Sequence, residues 1–215
     1  MPRNRVIYQS QAVSVTSDIV SFDADAITNG SISGLQRIQS ANYSFNVSRQ
    51  DVNQFGDLAA IDRIIVDSPT VSFDTSYYLA NFTNERSLGF YVTPSGDTTF
   101  KSCVTDIIST GATDGVHLGN NQKNYFITTT KEGTDANDDF TTGNYESVIG
   151  IGNGFLTSYS SEASVGGLPT VSVSVEGQNM NFVNAPYLGK GANGGDTTAN
   201  GFVTGVGEEG PNTLL

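Results

Sequence analysis

Between Pro169 and Glu176 apolar and polar side chains alternate, with Val171, Val173 and Val175 separated by Ser172 and Ser174. A period of two puts one set on each face of an extended chain, so this stretch predicts a half-buried strand with a valine face and a serine face. The same pattern runs through 41–47, where Ala41, Tyr43, Phe45 and Val47 alternate with Asn42, Ser44 and Asn46, and through 71–79 after Pro69. Further strands are predicted at 5–15, 88–93, 124–130 and 155–160 from their β-branched and aromatic content. Asn29-Gly30-Ser31 marks a turn near the end of the acidic, serine-containing stretch 17–26. One segment has a helical period instead: Phe100, Val104, Ile107 and Ile108 fall at i, i+4, i+7 and i+8. A helix is therefore expected near 99–110, capped by Thr98 or Thr99 and closed by Gly111, with Cys103 as a small core residue on it.

Composition sharpens this into a mainly β chain. Of 215 residues only 15% are charged and 37% apolar, while 24 are glycine. The polar remainder is mostly Ser, Thr, Asn and Gln, which suits strands with uncharged outer faces and tight turns rather than helical bundles. A chain of this length can bury a core without disulfides or metals. The expected organisation is one β-domain over 1–186, followed by a glycine-rich arm or loop over 187–215. No repeat of fixed period is present.

Charge and targeting signals narrow the function classes. The net charge is −12. Residues 104–215 hold twelve acidic and three basic side chains, against ten and seven in 1–103. That excludes ordinary nucleic-acid binding, which needs Lys and Arg to neutralise phosphate. It leaves solubility, or a surface that must face DNA without holding it. The single cysteine makes no internal bridge. No apolar stretch follows Met1-Pro2-Arg3-Asn4-Arg5 to serve as a secretory signal, and none approaches the roughly 18 residues of a membrane span. A soluble protein folded in a cytoplasm, with no membrane partner, is expected.

The motifs that could carry chemistry each fall short. His117 is the only histidine, in the turn-like run 113–117, and no Gly-x-Ser-x-Gly elbow offers it a nucleophile. The glycine-rich stretch 148–155 lacks the third glycine of a dinucleotide loop, Phe155 standing there instead, and reads as a glycine-rich strand or bulge. Asp135, Asn137, Asp139 and Glu146 match offsets 1, 3, 5 and 12 of a calcium loop. The sixth position is Phe140 where glycine is required, and no helices flank it, so an exposed acidic loop is the better reading. Asn29, Asn42, Asn46 and Asn81 form glycosylation sequons that follow from abundant Asn, Ser and Thr. Paired carboxylates for glycan hydrolysis are not recognisable by spacing, and the chain has no tryptophan to stack on sugars. No catalytic, cofactor-binding or metal-binding residues are assigned, no cofactor is implied, and a non-enzymatic protein is expected.

Three segments together resemble the tail-tube (major tail) proteins of long-tailed bacteriophages. They are Arg5-Val6-Ile7-Tyr8-Gln9-Ser10-Gln11-Ala12, the run 48–58 continued through 69–73 and 76–79, and the run 154–160 continued through 164–173 to Glu176-Gly177. The resemblance covers most of 1–185, and the glycine-rich tail after Pro186 has no counterpart in it. It implies a β-sandwich or small β-barrel with one short flanking helix and extended loops or terminal arms. It also implies six-fold rings that stack into a tube for genome ejection. The partners implied are further copies of the chain, terminator and baseplate or tip components, and genomic DNA passing through without specific binding. The place implied is the virion tail, assembled in the bacterial host cytoplasm. Glu132, Asp135, Asp138, Asp139, Glu146 and Glu162 become candidates for an acidic lumen. A capsid decoration or tail-terminator protein, a calcium-dependent adhesin or carbohydrate-binding module, and a glycan hydrolase are the rival readings.

Overall fold

In the computed structural model, the residues described are 11–16, 32–53, 55–56, 62–67, 69–93, 95–96, 98, 101–104, 107, 122–130, 136 and 145–184. They form ten strands and one short helix: β1 Gln11–Thr16, β2 Ser33–Gly34, β3 Ile38–Asn46, β4 Arg49–Val52, β5 Asp62–Ile65, β6 Thr70–Tyr78, α1 Thr83–Leu88, β7 Gln122–Thr130, β8 Tyr145–Glu162, β9 Thr170–Gly177 and β10 Asn179–Asn184. The chain is mainly β, as its alternation demands. Eight strands make one antiparallel sheet in the order β2-β1-β7-β8-β9-β6-β3, with β10 also on β8, and β4 and β5 form a separate pair.

β8 is the axis of this sheet. It runs for 18 residues, about three times an ordinary strand. Its first half lies between β7 and β10, and its second half pairs with β9. β9 and β10 keep one register along it, Glu176 opposite Phe155 and Asn179 opposite Gly152. Only Gly177 and Gln178 interrupt them, and Gln178 N–H still donates to the Gly152 carbonyl at 3.1 Å. The result is two half-sheets sharing one long strand.

The half-sheets fold onto each other around a single core. In β6 and β9 every second residue is buried, and Val71, Phe73, Tyr77, Val171, Val173 and Val175 point inward. From the other half-sheet come Val13, Val15, Tyr125, Ile127 and Ile151. Phe73 and Tyr125 sit on strands three positions apart in the sheet order, about 14 Å if it were flat. Their ring centroids are 5.4 Å apart, so the sheet curls. It remains an open sheet among the described residues, where the resemblance implied a sandwich or barrel.

A close approach at the shared strand requires glycine. A Cβ on Gly154 would stand 2.7 Å from Tyr125 Cε2 and 2.8 Å from Val175 Cγ1, inside the contact distance of both half-sheets. Gly154→Ala is therefore expected to cost about 1–3 kcal/mol by overpacking, measured as a lowered denaturation midpoint with unchanged slope.

Two expectations need correction. The strand expected at 88–93 is absent: Leu88 buries itself as the last residue of α1, Gly89 ends the helix in the left-handed region at φ 102, and 90–93 pair with no strand. Phe90 instead packs edge-on against Tyr159 at 4.9 Å. The helix expected near 99–110 lies largely outside the described residues: within that range Lys101 and Ser102 are irregular, Cys103 and Val104 form a turn and Ile107 is helical. Cys103 is exposed and not a core residue, because the periodicity that placed it inward is not realised as a helix there. Residues 5–10 of the first expected strand, the turn at Asn29 and the arm at 187–215 also lie outside the described residues.

Candidate assembly surface

The outward face of β3, β6, β9 and the second half of β8 is mostly polar, with Phe155 at its β8 margin. Opposed residues line up in rows: Asn42, Asp74, Ser174 and Ser158 in one, Ser40, Ser76, Ser172 and Ser160 in the next. A third row runs Ser44, Ser72, Glu176 and Phe155. Several of the side chains pair across the strands. Ser40 and Ser76 share a hydrogen bond at 2.6 Å, Ser44 and Ser72 another at 2.6 Å, and Ser174 Oγ donates to Asp74 Oδ1 at 2.6 Å. Thr157 Oγ1 adds a bond to the Ser174 carbonyl at 3.0 Å. Such cross-strand pairs stiffen a sheet at a few tenths of a kcal/mol each, roughly. The face carries Asp74, Glu162 and Glu176 and no Lys or Arg, so its charge is of one sign.

Both flanks of this half-sheet end in a strand with one partner. Among the described residues β3 pairs with β6 alone. Residues 156–162 of β8 pair with β9 and, among the described residues, with nothing on their other side, since β7 leaves β8 at Phe155. Unpaired N–H and C=O groups in a row are a template for another strand.

The two ends of the half-sheet also differ. At one end the β3–β6 hairpin continues as an arm: Val66 N–H donates to the Ser48 carbonyl at 3.1 Å, and β4 pairs with β5 in register. Every residue of β4 and β5 is exposed, including Val52, Ile64 and Ile65. Asp51 and Arg63 face each other across the pair, and the guanidinium holds the Asp51 carboxyl below its ordinary range through that hydrogen bond. At the opposite end, the β8–β9 turn projects Val165 and Leu168 into solvent.

Behind the polar face lies a buried carboxylate. Glu85 on α1 is 5% exposed, and its Oε1 accepts from Tyr77 Oη at 2.8 Å and from Tyr159 Oη at 3.2 Å. Asn84 next to it holds the β2–β3 link, accepting from Gln36 N–H at 2.8 Å and donating to the Gln36 carbonyl at 2.8 Å. Burial first, then the hydrogen bond and charge of Glu85, push the Tyr77 phenol far above its usual value. Burial, followed by the charge of Glu85, pushes Tyr159 up to about 12, and burial alone raises Tyr125. These raised values fix a sign. The unfolded chain ionises its phenols near pH 10 while the folded one keeps these three neutral, so stability is full below pH 10 and falls as pH rises toward and past 12. Alkaline titration is expected to show a late group of phenolates, within the nine tyrosines, appearing together with unfolding.

The residues singled out in the sequence are scattered. Glu162 lies exposed on the outer stretch of β8. The backbone of Glu146 belongs to β8, while Glu132, Asp135, Asn137, Asp138, Asp139 and His117 lie outside the described residues. Among the described residues no group of three or more His, Cys, Asp or Glu could hold a metal ion, and no helix is long and apolar enough to cross a membrane. Asp74 and Glu176 were missed. Their signal was present, because each occupies a polar position in a strand of strict alternation.

No protein-family model matches the chain, and no curated protein matches it in sequence. Among solved structures it is similar to a chain in the tube-terminating cap of the anti-feeding prophage, at 11% identity and TM-score 0.48, covering 86% of this chain and 94% of that one. It is similar to a chain of the sheath–tube complex of the PVC extracellular contractile injection system, at 12% identity and TM-score 0.47, covering 85% and 94%. A third likeness is to the SPP1 tail tube, at 14% identity and TM-score 0.45, covering 84% and 80%.

Proposed function

We propose that this chain is a structural subunit of a phage tail tube, joining copies of itself edge to edge into rings that stack as a conduit for the genome. One observation carries the reading: a four-stranded half-sheet whose two flanking strands each keep a free edge, and whose outward face is polar, acidic and without a cation. The free edge of β3 in one copy meets residues 156–162 of β8 in the next. Closing the ring this way covers both free edges of the half-sheet. Six copies supply about twenty-four strands, and at about 4.8 Å per strand the barrel is at least about 37 Å across, wide enough for a duplex.

The outward face then lines the lumen. Ser40, Ser44, Ser72, Ser76 and Ser174 are already paired across the strands, and Asp74, Glu162 and Glu176 repel phosphate, so DNA passes without a site to hold it. The arm at one end and Val165 and Leu168 at the other form a head-to-tail contact between rings. Such a contact joins different surfaces and does not close, so it propagates a filament. The arm has its own reason to dock, since an isolated two-stranded hairpin is marginal in water. The work is assembly, with no catalytic residue and no cofactor. Terminator and baseplate or tip proteins cap the tube ends, and the protein resides in the virion tail after synthesis in the host cytoplasm.

Negative-stain electron microscopy of the purified protein, with light scattering across a concentration series, tests this. Hollow tubes, or rings that lengthen with concentration, are the expected result. A fixed oligomer that never polymerises points to a terminator or decoration protein. A strict monomer whose stability depends on calcium overturns the reading in favour of a binding module.

A further inference from the structure

We propose that Glu85 is a positioning residue that holds the free edge of β8 in place for pairing with another copy. The inference rests on the reading of residues 156–162 as an assembly edge. Among the described residues they have a strand on one side only, and most of their side chains are exposed. The exceptions are Leu156 and Tyr159, which are half-buried on the inner face. An edge strand with so little packing frays readily.

Tyr159 is where that edge is tied down. Its ring packs against Phe90 at 4.9 Å, and its hydroxyl reaches Glu85 Oε1 at 3.2 Å. The same oxygen accepts from Tyr77 at 2.8 Å, and Tyr77 is fixed in the middle of the core on β6. One carboxylate oxygen thus links the helix, an interior strand and the free edge. α1 is itself immobilised by Asn84 on Gln36 and by Leu88 in the core. A hydrogen bond to a charged acceptor is among the stronger kinds, and here it acts where few other contacts do.

The mechanism acts through Tyr159 and asks nothing of Glu85 at the interface itself. Glu85→Gln keeps an oxygen that can accept both phenols, and Glu85→Ala removes it. Tyr159→Phe removes only the edge-side bond and keeps the ring against Phe90. The test is hydrogen exchange by mass spectrometry on the monomeric protein, below its assembly concentration. In Glu85→Ala and Tyr159→Phe, residues 156–162 are expected to exchange about tenfold faster, with β1 and β7 unchanged, and Glu85→Gln is expected to restore most of the protection. The concentration for half-assembly is expected to rise by about tenfold in the same two variants. Unchanged exchange at 156–162, or acceleration spread evenly over the whole sheet, overturns the proposal. Tyr159→Phe decides the matter if Glu85→Ala does not fold. Should the wild-type protein never assemble, the tail-tube reading fails while the exchange data still decide what Glu85 does.

Discussion

Of two single prolines, at Ser160 and at Ser161, one is expected to abolish assembly while leaving the monomer nearly as stable as before. Successive residues of a strand send their N–H groups to opposite sides, and proline has none. Along residues 156–162 one side faces β9 and the other, among the described residues, faces no strand. A proline directed toward β9 breaks a ladder bond inside the sheet and is expected to cost the monomer about 3 kcal/mol. A proline directed outward breaks nothing within the chain. It removes one donor per interface and puts a ring where the next strand must lie. Losing even about 1.4 kcal/mol at each contact weakens it tenfold, and a closed ring feels this at every interface. Sedimentation across a concentration series reads assembly, and urea denaturation reads the monomer. If both prolines leave assembly intact, the second half of β8 is not an assembly edge.

Much of the sheet follows from local pattern alone. β6 and β9 were legible because their alternation is complete: Val71, Phe73 and Tyr77 inward, Ser72, Asp74 and Ser76 outward. Length was legible less well. β8 was expected in two pieces, a strand at 155–160 and a glycine-rich strand or bulge at 148–155, because Gly150, Gly152 and Gly154 weaken the alternation of its first half. Gly154 is part of the reason it can serve two half-sheets, since a side chain there would collide with Tyr125 and Val175.

Other elements depend on partners no local pattern reveals. α1 spans six residues and lacks a side-chain cap. Its stability comes from Leu88, Asn84 and Glu85 reaching distant strands, which is tertiary and not periodic. The arm strands β4 and β5 read Arg49-Gln50-Asp51-Val52 and Asp62-Arg63-Ile64-Ile65, with neither a buried face nor an alternation to mark them. β10 was different: Met180 and Phe182 alternate with Asn179 and Asn181, so the signal was there to find. The acidic surface shows the same division. Counting charge by segment pointed to 132–146 and to Glu162, whereas Asp74 and Glu176, which share one face with Glu162, are far apart in sequence. Register brings them together, and register is set by strand pairing.

Phe73→Ala is expected to be the most damaging single truncation outside the assembly edge. Phe73 is fully buried in the centre of β6, and its ring meets Tyr125 from the opposite half-sheet at 5.4 Å. Deleting it removes the transfer energy of the ring and leaves a cavity between two sheets that share only β8. Side chains around it are short β-branched residues, Val71, Val173 and Val175, which cannot reach across to fill the gap. The expected cost is about 3–5 kcal/mol, or roughly 6–20 °C in the thermal midpoint for a domain of this size. The consequence for assembly is separate from that for stability. The angle between the half-sheets sets how the polar face curves, and a ring closes only if that curvature matches its number of copies. Phe73→Leu retains most of the volume and is expected to recover about half of the lost stability. Thermal denaturation measures the first effect, and ring diameter in electron micrographs measures the second. A loss below about 1 kcal/mol in Phe73→Ala is the result that removes Phe73 from the role of spacer between the half-sheets.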